Sequence, residues 1–535
     1  MLTASRWKNV AASATFLFVG ALALTLESVA TPAQSPSRPD MKARIDGLVP
    51  ELERYLQDAM ANEHVPGVAV GIVTGDQLHY AKGFGKRNDK GEPVDAKTVF
   101  QIGSVSKGFL ATTIAIEVDK GRLRWDDRVV DVYPAFQLKD PWVTQEFRVF
   151  DLLAQRSGLP PYVNDSVAIL GLPEDRVIHS LRFVEPVSSF RATYTYTNVT
   201  HLLAGRIVAN KAGQPDWTHV LKQNLLEPLG MNDSSYTADA IRNAPNHADG
   251  HHWTPGGSNV VPFIDQVPYS LGGAGNINST VEDMARWIRL QLGKGSFAGK
   301  QIVSADNLAV TRTPRVPFPD RVSSYANGWI ILPTDNGTIV WHSGATEGFG
   351  GFVGLLPDKD VGIVILSNVK DSLEFATAFG IWALRKLLGS TLTDLLDSAR
   401  VDSDPLATQL RRATDRYEAE QKQFARPANP RPSPDPKTMI GKYSNPSFGE
   451  AVMSVADGAP VLELTTGARL RFAEWDGNVL TMTLSPEGRF KDLALDLGPF
   501  PPLGFAQWQV DQDGKYSLSL GLGDAAQSYE FRRRE

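Results

Sequence analysis

A hydroxyl and an amine stand three residues apart at Ser104 and Lys107, inside the stretch Phe100-Gln101-Ile102-Gly103-Ser104-Val105-Ser106-Lys107. A serine attacks a carbonyl when a neighbouring base takes its proton, and a lysine becomes that base once burial lowers its proton affinity. From Ser104 onward Phe109, Leu110, Ile114 and Val118 recur with roughly helical period, and Lys120-Gly121 supplies a basic last turn and a glycine stop. The pattern predicts a helix over residues 104–120. Residues i and i+3 share a helix face, so Lys107 stands one turn below Ser104. The helix start adds unpaired N–H groups and positive potential beside the hydroxyl.

The spacing alone does not decide the chemistry, because Ser5-Arg6-Trp7-Lys8 and Ser367-Asn368-Val369-Lys370 share it. The first pair lies in a targeting-type segment, and the second follows the apolar run 361–366, which reads as a buried strand leading into a turn. A capping serine followed by a solvated lysine has the same spelling. Composition narrows the alternatives. The absence of cysteine excludes disulfides, thiolate metal sites, a cysteine nucleophile and a lipid-anchored cysteine. A net charge of −6, from 54 basic and 60 acidic residues interspersed, gives no electrostatic case for nucleic acid or an anionic membrane surface.

A chain of 535 residues exceeds what one core usually serves, so two folded domains behind a targeting segment are expected. Arg6 and Lys8 precede the apolar run 11–26, and Ser28-Val29-Ala30 closes it with small residues, which reads as a signal peptide over 1–30. The alternative, a membrane anchor, needs a run of about 20 residues, so no stable insertion is expected after cleavage and the mature chain is periplasmic or secreted. Residues 31–40 are a flexible lead-in. Ile45, Leu48, Leu52 and Leu56 mark an amphipathic helix, and 67–73 and 78–84 form a hairpin through Thr74-Gly75-Asp76. Further on, 152–161 ends a short helix in glycine and prolines. Tyr194-Thr195-Tyr196-Thr197-Asn198 has strand-like composition, and Leu202, Leu203, Ile207 and Val208 then follow one helical face. Tyr196 and Asn198 thus fall at an expected strand-to-helix corner.

The glycine-rich loop 271–280 precedes a helix near 281–292, and it lacks the Lys-Ser/Thr ending and clear preceding strand of a phosphate loop. Residues 339–345 read as a strand ending in His342-Ser343-Gly344-Ala345. With 352–356 and 361–366 it suggests an antiparallel sheet, closed by a helix over 375–388 with Phe375, Phe379, Trp382 and Leu387 as core positions. Helices between strands at both ends make the region α+β. Residues 398–436 carry a charged helix, 406–424, and then the proline-dense stretch 426–436, a stiff extended linker. Beyond it, 437–535 alternates apolar and polar residues in short runs (461–464, 470–472, 479–484, 516–520) punctuated by Asp457-Gly458, Asp476-Gly477 and Asp513-Gly514, an all-β barrel pattern.

Three pieces in order, Ser104-x-x-Lys107, Tyr196-x-Asn198 and His342-x-Gly344, resemble the serine penicillin-recognising hydrolases. That family holds class C β-lactamases, D-alanyl-D-alanine carboxypeptidases, D-aminopeptidases and related esterases. Tyr-x-Asn also occurs at Tyr162, Tyr325 and Tyr443, but only the Tyr196 copy lies between the other two motifs and directly before a Leu-Leu-Ala-Gly helix. Thr98-Val99-Phe100, Ser157-Gly158-Leu159-Pro160 and residues 344–352 add to the likeness, which covers about 41–388. It implies a β-lactamase-like domain over 41–397, an antiparallel sheet flanked by helices with a helical subdomain. It also implies that 437–535 is similar to the lipocalin-like barrel appended to some such hydrolases.

Carried onto this chain, the resemblance implies Ser104 as nucleophile, Lys107 and Tyr196 sharing the base role, and Asn198 orienting substrate or Lys107. His342, Gly344 and Ala345 are implied at the substrate, the N–H groups of Ser104 and Ala345 forming the oxyanion hole. An acyl-enzyme forms and is hydrolysed without metal or cofactor. At His342 the chain departs from the β-lactamase pattern, which has a lysine facing the substrate carboxylate. A histidine with an ordinary pKa of about 6.5 is partly charged at neutral pH, an arrangement that suits D-amino-acid peptides, amides or esters better than β-lactams. The alternative is a hydrogen-bonded strand-end histidine. His247, Asp249, His251 and His252 lie close in sequence without regular ligand spacing, and no metal is expected there. The expected function is a secreted serine hydrolase acting on a small peptide, amide or ester. A β-lactamase, or a non-catalytic sensor binding penicillin or cell-wall fragments, is the alternative. The barrel is either a lid at the active-site mouth or a tethered module, and oligomeric state is left open.

Overall fold

The computed structural model describes residues 40–370, 374–389, 405–497, 502–510, 512, 514–522 and 527–534. The expected signal segment, the lead-in up to residue 39, residues 398–404 of the linker region and Asp513 lie outside them. Among the described residues no helix is long and apolar enough to cross a membrane.

The larger domain is built on strands β1 (Gly67–Thr74), β2 (Gln77–Gly85), β3 (Val316–Pro317), β4 (Ser324–Tyr325), β5 (Ile330–Thr334), β6 (Gly337–Ala345), β7 (Gly350–Leu356) and β8 (Val361–Ser367). They form one antiparallel sheet in the order β2-β1-β8-β7-β6-β5-β4-β3. The early hairpin therefore docks on the last strand of the sheet, with Val70 opposite Ile365 and Ile72 opposite Ile363. Five helices position the site: α1 (Met41–Asn62), α2 (Ser106–Asp119), α3 (Val199–Ala212), α4 (Val281–Leu292) and α5 (Phe375–Leu388). Val68, Val70, Ile72, Ile363 and Ile365 point to the side of α1 and α5, while Ala69, Val73, Val364 and Leu366 point to the side of α4 with Trp287 and Ile288. Both faces of β1 and β8 are covered, so these strands read as unbroken apolar runs instead of alternating ones.

The helix expected over 104–120 begins as a 3₁₀ turn, Gly103–Val105, and continues as α2. Its periodicity suggested one apolar face, yet Ser106 to Glu117 are all buried. A helix enclosed on every side has no solvent face for a lysine, and Lys107 is carried inside with it. Gly108 admits the closely packed Trp287, whose ring also stacks on Phe109 at a centroid distance of 4.0 Å. A second difference concerns Tyr194 to Asn198, which forms no strand. Tyrosine and threonine favour strands through cross-strand packing, but among the described residues no strand forms a hydrogen-bonded ladder with this segment. Gln155 holds the segment instead, its carbonyl accepting from Thr195 N at 2.9 Å and its Oε1 from Thr197 N at 2.6 Å.

Eight consecutive strands from Gly441–Asn445 to Ser528–Arg533 close into an antiparallel barrel, sealed where Tyr443 and Ser444 pair with Arg533 and Arg532. Alternate positions, among them Met453, Leu462, Phe472, Met482, Leu518 and Phe531, are buried and fill the interior. The proline-rich segment is laid against this barrel instead of spanning open space. Arg426 pairs with Glu474 at 3.1 Å, Arg431 forks onto Asp476 with Nη2–Oδ2 at 2.8 Å, and Trp475 Nε1 donates to Ala425 O at 3.2 Å. The barrel's apolar residues belong to the same buried cluster as α2, α3 and α4. Across the contact, Arg489 donates to Gly171 O at 3.1 Å and Gln266 to Arg489 O at 2.7 Å.

Candidate active site

Ser104 lies at the 3₁₀ turn that opens α2. Its Oγ accepts hydrogen bonds from Lys107 Nζ at 3.0 Å and from Tyr196 OH at 2.6 Å. Lys107 is fully buried and also donates to Asn198 Oδ1 at 2.8 Å and to Ala274 O at 3.0 Å. Its Nζ sits 4.6 Å from the centroid of the Tyr196 ring. Tyr196 and Asn198 arrive on the segment that leads into α3, and Ala274 on the glycine-rich loop before α4. That loop is tied to α2 through Ser106 Oγ, which accepts from Ile277 N at 3.2 Å. Sequence reasoning missed Ala274, because a backbone carbonyl leaves no residue-type signal. It missed Asp165 as well, whose Oδ2 accepts from Asn198 Nδ2 at 2.6 Å.

Burial acts oppositely on the two candidate bases, since it disfavours whichever form is charged. It lowers the Lys107 ammonium to about 7, with the Asp165 carboxylate pulling the other way. Burial pushes the Tyr196 phenol well above its ordinary range. A neutral amine beside Ser104 is thus accessible near neutral pH, whereas Tyr196 keeps its proton.

The end of β6 packs against the start of the Ser104 turn at a distance only glycine permits. A Cβ on Gly344 would stand 2.1 Å from Ile102 O and 2.7 Å from Ser104 N, and one on Gly103 2.6 Å from Ala345 N. Gly103 also holds a left-handed φ of +51°. The approach brings the Ala345 backbone nitrogen against Gly103-Ser104, where the oxyanion hole was expected.

His342 does not take the place expected of it. It is 4% exposed, its Nδ1 donates to Ser343 O at 2.5 Å, and its Nε2 accepts from Tyr325 OH at 2.9 Å. Burial, then the nearby Lys107, depress its pKa to about 3. A neutral ring with both nitrogens engaged inside the protein offers no charge to a carboxylate. The β6 alternation turns His342 inward, so the hydrogen-bonded strand histidine is the reading the geometry supports. Two of the other Tyr-x-Asn copies border the site. Tyr325 holds His342, and the Tyr162 ring lies 5.4 Å from that of Tyr196 with its backbone N donating to Tyr196 O at 2.7 Å. Tyr443 belongs to the barrel.

The histidines clustered in sequence disperse in space. His247 faces Asp249 at 3.6 Å, His251 Nδ1 bonds Asn368 O at 2.9 Å, and His252 faces Asp496 at 3.1 Å. Among the described residues, His252, Glu347 and Asp496 bring potential metal-ligand atoms within 4.8 Å of one another. The Lys370 ammonium is hydrogen-bonded to Glu347 there and supplies a cation from the chain itself.

A family model described as Beta-lactamase matches residues 52–386. The chain belongs to the Beta-lactamase family. Members of this family are generally hydrolytic serine enzymes. This family member is similar to Unguisins hydrolase ungD' of Aspergillus campestris (strain IBT 28561), 26% identical over 420 residues that cover 75% of this chain and 76% of that protein. It is also similar to Penicillin-binding protein 4 of Amycolatopsis lactamdurans, 29% identical over 352 residues covering 63% and 88%. The solved structure of the octameric penicillin-binding protein homologue from Pyrococcus abyssi shares its fold, with a TM-score of 0.57 at 22% identity over 91% of this chain and all of the other.

Proposed function

We propose that this Beta-lactamase family member is a periplasmic or secreted serine hydrolase that cleaves an amide or ester through an acyl-enzyme on Ser104. The observation that carries the reading is the convergence of Lys107 Nζ and Tyr196 OH on a single hydroxyl, at 3.0 and 2.6 Å. Neutral Lys107 takes the Ser104 proton as Oγ bonds to the substrate carbonyl carbon. The Ser104 and Ala345 N–H groups receive the developing oxyanion. Tyr196 hands its proton to the leaving nitrogen or oxygen and regains one from Lys107. Water then attacks the acyl carbon, Tyr196 taking its proton while passing its own to the neutral Lys107, and the acyl–oxygen bond breaks as Lys107 returns that proton to Ser104 Oγ.

With His342 neutral and inward, no histidine charge selects for a substrate carboxylate. This favours D-amino-acid peptides, amides and esters over β-lactams as substrates, in keeping with a relative named as a hydrolase. Labelling with a fluorophosphonate, followed by peptide mass spectrometry, should place the adduct on Ser104 and lose it in Ser104→Ala. Turnover should follow on p-nitrophenyl esters or D-amino-acid anilides ahead of a chromogenic cephalosporin. An unlabelled Ser104 with no turnover on any of the three would leave a binding protein instead.

A further inference from the structure

Asn198 presents its carbonyl oxygen to Lys107, but an amide can turn over and present its NH₂. What holds it is a carboxylate, which accepts and cannot donate when ionised: Asp165 Oδ2 takes Asn198 Nδ2 at 2.6 Å. Asp165 opens the short helix Asp165–Ile169, and the preceding Asn164 adopts a left-handed φ of +58° while fully buried. Such a backbone state persists where its surroundings impose it. Here they do so from two sides. Asn164 Nδ2 donates to Ser180 Oγ at 2.8 Å, and its Oδ1 accepts from two barrel side chains, Gln527 Nε2 at 3.3 Å and Tyr529 OH at 3.4 Å. Tyr529 OH also accepts from Ser166 Oγ at 3.3 Å. The same turn bonds the backbone of Tyr196 through Tyr162 N at 2.7 Å.

We propose that Asp165 is a positioning residue that fixes Asn198 and, through it, Lys107, and that the barrel strand Ser528–Arg533 supports it. The barrel then acts on the reaction from behind the Tyr162-to-Ser166 turn. This inference rests on the acyl-enzyme reading of Ser104. Asp165 has two effects that can be separated. It orients the amide, and its negative charge opposes the burial that lowers Lys107, whose other neighbours (Tyr196, His201 and His342) supply no negative charge. Removing the charge therefore lowers the Lys107 pKa and extends the active neutral amine to lower pH, while loss of orientation slows the step. A merely structural residue would slow the step without moving the profile.

The test uses the full chain, with second-order fluorophosphonate labelling of Ser104 and ester kcat and KM measured against pH. Asp165→Asn should reduce labelling and kcat by roughly ten- to a hundredfold, leave KM nearly unchanged, and move the acid limb to lower pH. Asp165→Glu should restore the wild-type limb. Tyr529→Phe should reduce kcat a few-fold with the limb in place, and it carries the test if Asp165→Asn does not fold. Wild-type rates and profiles in folded Asp165→Asn would overturn the inference, as would a wild-type kcat in Tyr529→Phe should Asp165→Asn not fold. A wild-type protein that does not label at Ser104 would instead overturn the acyl-enzyme reading itself.

Discussion

The expected oxyanion hole depends on how closely β6 lies against the Ser104 turn, and Gly344→Ala tests that dependence with one methyl group. The added carbon would stand 2.1 Å from Ile102 O and 2.7 Å from Ser104 N, both backbone atoms that cannot swing aside as a side chain can. Restoring an ordinary carbon–oxygen separation of about 3.3 Å requires a displacement of roughly 1 Å between strand and turn. The Ala345 N–H moves with the strand and the Ser104 N–H with the helix, so the two donors lose their common target. Loss of one such donor costs on the order of 10²–10³ in kcat, or about 3–4 kcal/mol. Gly351 on the neighbouring strand is the control, because its Cβ would stand 3.2 Å from Ile102 O and needs only a small adjustment. Steady-state hydrolysis of a p-nitrophenyl ester, with circular dichroism to verify folding, should show a large kcat loss in Gly344→Ala and a small one in Gly351→Ala. A folded Gly344→Ala enzyme with wild-type kcat would refute the packing argument.

The acid limb of kcat/KM should fall near pH 7, since the rate follows the neutral amine and Lys107 loses its proton at about 7; Lys107→Ala should remove most acylation. Tyr196→Phe should cost on the order of 10²-fold in kcat, and a silent substitution there would show that Lys107 alone handles the proton. His342 should affect acid stability more than substrate charge. With a folded pKa of about 3 against about 6.5 unfolded, the unfolded chain binds the extra proton between those values. Stability is therefore lost as pH falls through that window, by about 2 kcal/mol at pH 5 from this group. In urea melts His342→Gln should flatten the pH 5–7 dependence, and charged and neutral substrates should show the same pH profile across it.

The three motifs and their order, the helix that carries Lys107 and the strand that carries His342 were legible because each is a local property, whereas the strand expected at Tyr194 to Asn198 gave way to a segment held by Gln155. Residues 375–388 show a helix in their own composition, and the period-2 runs after the linker show a barrel in theirs. Ser104 and Lys107 sit one turn apart on a single helix, and no folding event is needed to pair them. What tertiary structure alone decided was the electrostatic state of those residues. The mean periodicity of α2 left Lys107 a solvent face that packing then removed, which is why its amine titrates near neutrality. His342 looks the same in sequence whether β6 turns it toward substrate or toward Tyr325, and the sheet's register made that choice. Asp165, Ala274 and the barrel's Tyr529 carry no motif at all. They reach the site through contacts 33 to 365 residues apart along the chain, and separations of that size are written in the fold and not in any stretch of sequence.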